Sequence, residues 1–342
     1  MDYSEKELTE SSKVFLNELL QLRSGENLLI YVDQAGDYRL ARAIHTQAER
    51  QGSRTEIFEL NSALPLADQA KQLTEKIQQG SFHAICELSE QYFYLTSAWP
   101  AAYEGGARVY SLAGLDTASF IRCVGRVNHE RMFALGMELK TALEKSRRLR
   151  IVTENGTDIR MKVGLSRLQR LMARFRRGPR AFITSPSGFG GGFLGGQLAF
   201  LGIPTTIEGT AVIDGYLWPP AEIGLLDRPL IVNIYAGKVV DIGGCPVKSR
   251  ILRRWFEGQT VRVEHFCIGF NPGASLSGKI LEAERVLGCI SIGMGQGPFH
   301  TDGIINNPSL HTEEIVIEEN GSFVTDKLLS LKNDLVRDVF AQ

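Results

Sequence analysis

Paired cysteines, charge of one sign and long apolar runs are all missing from this chain, and each absence excludes a class of function. The five cysteines (Cys86, Cys123, Cys245, Cys267, Cys289) are scattered and odd in number. None forms a Cys-x-x-Cys pair, which argues against a structural zinc site or a disulfide framework. The formal net charge is -1, so there is no electrostatic case for nucleic acid or an anionic membrane surface. No run is long enough to cross a bilayer. The opening Met1-Asp2-Tyr3-Ser4-Glu5-Lys6-Glu7 is acidic and polar, with no signal-peptide core after it. These features lead us to expect a reduced, cytoplasmic protein. Gly36 stands alone, without the Gly-x-Gly-x-x-Gly of a dinucleotide site.

What is present suggests two domains. The chain has 342 residues, more than one ordinary core holds, with 43% hydrophobic and 23% charged residues. Up to residue 147, short apolar runs alternate with helical stretches. Strands are expected at Asn27–Val32, Thr55–Leu60, His83–Leu88 and Arg108–Leu112, and helices at Tyr38–Gln51, Leu66–Gln79 and Val127–Arg147. This is the pattern of an α/β, Rossmann-like domain with a parallel sheet. Residues 148–342 read as an α+β domain rich in antiparallel strands. Asn155-Gly156, Ala236-Gly237 and Asn320-Gly321 mark hairpin turns. Ile203–Ile207, Thr210–Asp214, Leu230–Tyr235 and Lys238–Ile242 are further strand candidates, and one short helix is expected within Gly273–Leu287.

Histidine is sparse, at 6, and half of it lies in the last quarter as His265, His300 and His311. His265 interrupts an apolar strand-like run. His300 and Asp302 form a His-x-Asp whose side chains share a face if the segment is extended. Two imidazoles and one carboxylate are the ligand set of non-haem Fe(II) oxygenases, which leaves one face of the metal open. A satisfied core histidine beside a chance His-x-Asp is the bland reading, and spacing alone leaves both open. His311-Thr312-Glu313 repeats the pattern, but Asn306-Asn307-Pro308 should place it beyond the metal-facing strand. The basic run from Arg160 to Arg180 reads as a solvated face or subunit contact, with an anion grip as the alternative.

Several ordered motifs carry a resemblance. Gly156-Thr157-Asp158, Gly196-Gln197-Leu198 with Pro204, and Glu208-Gly209-Thr210 through Asp214-Gly215 come first. Ala236-Gly237-Lys238, His265 through Pro272, Glu284-Arg285 through Gly295, and His300-Thr301-Asp302 follow. From about Thr157 onward the chain resembles the catalytic half of the aminopeptidase T family, two-metal peptidases. Gln197 and His265 stand where that family has Glu, and Ser291 where it has His. This substitution pattern resembles the 2,5-dihydroxypyridine 5,6-dioxygenase branch of the superfamily.

That resemblance implies one Fe(II) per chain, held by His265, His300 and Asp302. It implies extradiol-type opening of a small hydroxylated aromatic ring by O2, in a homo-oligomer with no nucleic-acid or membrane partner. Glu284 and Ser291 would then serve catalysis. Gln197, Glu208, Phe189, Phe193, Tyr103 and Glu104 would line the substrate, with Trp218 as another stacking ring. The alternatives are a metallohydrolase of the peptidase type with Glu284 as base, and a binding protein that kept the fold.

Overall fold

The computed structural model describes residues 3–94, 96–163, 181–183, 191–296, 300–333 and 335–336. Phe189, and Arg167, Arg170, Arg174, Arg176, Arg177 and Arg180 of the basic run, lie outside these residues.

Four strands open the chain, β1 (Asn27–Val32), β2 (Arg54–Glu59), β3 (Ala84–Glu87) and β4 (Arg108–Ser111). They pair in parallel in the order β2-β1-β3-β4, as the alternating pattern predicts. The apolar β1 and β3 are buried because helices cover both faces of the sheet. Tyr38–Arg50 illustrates the local cause. Asp37 caps its first turn through Leu40 N, and Leu40, Ala41, Ile44 and Ala48 form one buried stripe. One apolar core joins this helix to Leu8, Phe15 and Phe120, while Leu66–Gln79 and Ala98–Glu104 close the other face.

The crevice at the strand ends between β1 and β3 is where such sheets take ligands. Here the protein's own loops fill it. Asp33 Oδ2 accepts from the amides of Glu90 and Gln91 at 2.9 and 3.2 Å. Asp37 Oδ2 accepts from the amide and hydroxyl of Thr117 at 2.6 and 2.8 Å.

The second sheet is built from β5 (Arg148–Val152), β6 (Asp158–Lys162), β7 (Ala181–Ile183), β9 (Gln197–Phe200), β10 (Glu208–Ile213), β11 (Tyr216–Trp218) and β12 (Gly224–Leu225). It continues through β13 (Leu230–Tyr235), β14 (Lys238–Gly244), β15 (Arg262–Gly269), β16 (Cys289–Gly295) and β17 (Thr301–Asn306). It ends with β18 (Ser309–Thr312), β19 (Val316–Glu319) and β20 (Ser322–Phe323). All its pairings are antiparallel, with β9 added against β15. Its main core lies against helices His129–Lys145, Pro246–Trp255 and Asp326–Asn333.

Two local expectations change. Ile203–Ile207 is not a strand: Pro204–Thr206 forms a 3-10 turn, for which proline at the first position presets φ. The strand β8 (Gly191–Phe193) leaves the second half and pairs in parallel with β4, completing the first sheet. The chain therefore crosses back over a boundary at residue 147.

The two sheets meet at a polar clamp. Glu282 is fully buried and accepts from Arg122 Nη2 at 2.6 Å, from the Ser275 amide at 2.9 Å and from the Ser277 hydroxyl at 2.5 Å. Asn271 Nδ2 donates to Cys123 O and Gly195 O, both at 3.1 Å. These bonds fix the first domain over the outer face of β15–β17.

Candidate metal centre

Three neighbouring strands bring the ligand candidates together. His265 on β15 pairs in register with Gly293 on β16, and Gly293 with Asp302 on β17. Side chains in register point to the same face, so His265 and Asp302 flank a position without a side chain. A Cβ on Gly293 would lie 2.4 Å from His265 Cε1, so only glycine lets the imidazole fold across the row.

A bulge sets the direction of His265. Between Val263 and His265 the register with β16 slips by one residue. Val263 packs in the main core, and the extra residue Glu264 turns His265 onto the opposite face. Strict alternation would have placed both on one side. His300 enters from just before β17 and shares the face of Asp302, as the period of two predicts.

The resulting geometry is tight. His265 Nε2 lies 3.3 Å from Asp302 Oδ1, and His300 Nε2 lies 3.2 Å from Asp302 Oδ2. The two imidazoles meet edge to face, with centroids 4.7 Å apart. One donor atom from each residue falls within 4.8 Å of the others. Two ligands about 2.1 Å from one ion and at right angles lie about 3 Å apart, close to the two imidazole–carboxylate spacings, each of which runs to a different oxygen of Asp302. Among the described residues, Asp302 Oδ1 is buried without an aligned hydrogen bond, despite its approach to His265. A cation would satisfy that orphaned oxygen.

The electrostatics agree. Burial opposes charge on His265, yet Cys267 and Asp302 outweigh it and push its pKa up to about 11. Cys267 is itself a buried thiol whose pKa is raised by that burial, so the Asp302 carboxylate is the partner that matters. For Asp302, burial raises the pKa, but the close approach of the His265 and His300 imidazoles prevails and holds it low. A metal would take over the role of the proton on this pair.

Glu284 follows the short helix Ile280–Ala283 and lies outside the triad's ligand group. Burial, then repulsion from Asp302, raises its pKa, while Arg285, His265 and His300 work the other way. Arg285 is fully buried and donates to Leu194 O at 2.5 Å and to Glu284 Oε2 at 3.2 Å. Ser291 faces the triad one row along β16, in register with Cys267 and Ile304, and its hydroxyl is buried without a partner among the described residues. Gln197 is buried on β9 in register with Gly269, two rows from His265.

Aromatic rings close the face. Trp218 on β11 pairs with Asp302, so its ring borders the triad. Tyr92, from the loop after β3, packs on Trp218 with centroids 5.8 Å apart, and Tyr94 packs on Tyr92 at 6.0 Å. Phe193 lies behind Tyr94 at 5.3 Å and stacks on Trp99 at 5.2 Å. Burial, then the charges of Glu284 and Asp302, push the Tyr94 hydroxyl up to about 12, so it stays a donor.

Three expected lining residues are placed elsewhere. Tyr103 reaches back only to Trp99, at 6.1 Å, and Glu104 is exposed. Their helix runs from the strand end that faces the triad to the start of β4, at the opposite end of the parallel strands. Glu208 begins β10, whereas the other end of that strand, Ile213, lies under β17 at Gly303. Strand rise separates the two ends by about 17 Å. Tyr92 and Tyr94 were not singled out, since their nearness depends on how the domains dock, and neither was Arg285. The adjacency of Arg285 to Glu284 was the only signal.

No known family model and no curated protein matches the sequence. The fold, however, is that of a known two-domain class. It is similar to wild-type AmpT, aminopeptidase T from Thermus thermophilus, with a TM-score of 0.60 at 14% identity over 94% of this chain and 100% of that one. It is also similar to 2,5-dihydroxypyridine dioxygenase from Pseudomonas putida KT2440, with a TM-score of 0.70 at 14% identity over 96% and 99% of the two chains. Both likenesses extend over nearly the whole chain, so the resemblance seen in the second half holds for the architecture of both domains.

Proposed function

We propose that the chain is a mononuclear Fe(II) dioxygenase that opens a small hydroxylated aromatic ring. One observation carries this: the triad is two imidazoles and a single carboxylate. It is the only such ligand group among the described residues. A two-metal peptidase centre needs bridging carboxylates, and Gln197 and His265 stand where the resembling peptidases carry Glu. Fe(II) held there would let O2 and a ring oxygen bind side by side and exchange electrons.

The protein's part is to position, orient and dry the substrate. Trp218 and Tyr92 offer ring faces for stacking. In this reading Glu284, whose pKa is raised by burial and by Asp302, would take the proton of a ring hydroxyl onto its carboxylate. Ser291 Oγ and the Tyr94 hydroxyl can orient a ring substituent by hydrogen bonding. Arg285 steadies Glu284 and spreads the negative charge it shares with Asp302.

The similarity to AmpT supports a second reading, a hydrolase with Glu284 as base. Anaerobic reconstitution separates the two. With iron, we expect oxygen uptake that depends on a dihydroxylated ring and no release of amino acids from peptides. Peptide cleavage without oxygen uptake would overturn the proposal.

A further inference from the structure

The second histidine of this sheet lies in a different setting. His311 on β18 pairs with Arg150 on β5, Arg150 with Arg160 on β6, and Arg160 with Glu208 on β10. The next outward row pairs Arg148 with Lys162. These residues line a cavity of about 570 Å³, within the usual size range of small-molecule sites.

Its charge pattern works against the sheet itself. Two successive rows place cation directly opposite cation, which is destabilising in a cross-strand pair. Asp158 relieves one row only, through a bidentate contact with Arg150 at 2.8 Å and one with Arg160 at 3.2 Å. Both oxygens of Glu313 are spent on the amides of Arg147 and Arg148 at 2.7 and 2.9 Å. Glu208 lies at the far end, beyond Arg160. Glu313 lies beside Arg148 in this row but is held by backbone amides, and among the described residues neither Arg148 nor Lys162 forms a side-chain ion pair.

We propose that this cavity binds a small multivalent oxyanion, with Arg148 and Lys162 as its principal contacts and His311 and Arg150 at its side. The anion supplies the charge that the sheet leaves unmatched. The guanidinium of Arg148 offers a bidentate fork and Lys162 a point charge, a pairing suited to phosphate or carboxylate oxygens. The site does not depend on the metal centre or on its chemistry.

The test is calorimetric titration of the full chain with inorganic phosphate and with succinate. Either anion should saturate one site per chain with a Kd below about 1 mM. Saturation by phosphate alone or by succinate alone supports the proposal and identifies the class. In Arg148→Gln/Lys162→Gln the Kd should rise roughly tenfold or more. Arg39→Gln/Arg42→Gln, with the same charge change on the first domain, should change it less than about twofold. Without added anion, the Arg148→Gln/Lys162→Gln chain should melt no lower than the parent, because a repulsive pair has been removed. Absence of saturation by both anions, unchanged binding in that variant, equal weakening in the control, or a lower melting point would each overturn the assignment.

Discussion

Two His-x-acid segments lie within a few residues of each other, and the same sheet gives them opposite surroundings. His300-Thr301-Asp302 belongs to a row whose middle position, Gly293, has no side chain, so His265 and Asp302 lean across it and meet. His311-Thr312-Glu313 belongs to a row filled with Arg150 and Arg160. There the imidazole faces cations, and Glu313 turns away to backbone amides. A histidine and an acid two residues apart thus specify a shared face and nothing more. The partner across the strand decides whether they can hold an ion.

The comparison breaks most sharply at Asp302. Asp302→Ala should lower bound metal from about one ion per chain to less than one-tenth, measured by elemental analysis. Full occupancy in that variant would erase the distinction between the rows. Gly293→Val probes the gap itself. It should leave the ligands in place chemically but weaken metal affinity about 10–100-fold in a chelator competition, the usual cost of disturbing ligand orientation. Unchanged affinity would show that the glycine is incidental.

A third probe asks whether a buried acid in the His311 region behaves differently. Glu318 on β19 is fully buried, neither oxygen has a partner among the described residues, and burial pushes its pKa up to about 8. The folded chain therefore keeps a proton that the unfolded chain, near its ordinary 4.5, gives up. Stability from this group is complete below about pH 4.5 and is lost progressively up to pH 8, by at most about 1.4 kcal/mol per pH unit. Glu318→Gln should flatten that slope in denaturant melts; an unchanged slope would assign it to another group. The smallest effect is expected for His311→Ala, with metal content unchanged and stability within about 0.5 kcal/mol. Loss of metal in that variant would merge the two sites.

Much of the frame was legible because local chemistry determines it. Leu66–Gln79 and Asn27–Val32 fall where periodicity and turn residues place them, and Asn320-Gly321 and Ala236-Gly237 make turns with positive φ. The shared face of His300 and Asp302 followed from the strand period. The bulge at Glu264, the Gly293 gap and the return of β8 to the first sheet were not legible. Each depends on which strands become neighbours, and no local pattern encodes that. The same holds for Tyr92 and Tyr94, which approach the triad only once the first domain docks on the second, where Arg122 reaches Glu282. Pro204 did announce its turn, but the apolar residues around it read more strongly as a strand.

The central claim is that the glycine-gapped row holds a single iron. Elemental analysis of the chain purified without oxygen tests it directly. The account predicts about one iron per chain and no second metal. Two zinc or cobalt ions per chain, or a folded chain that binds none, would contradict it.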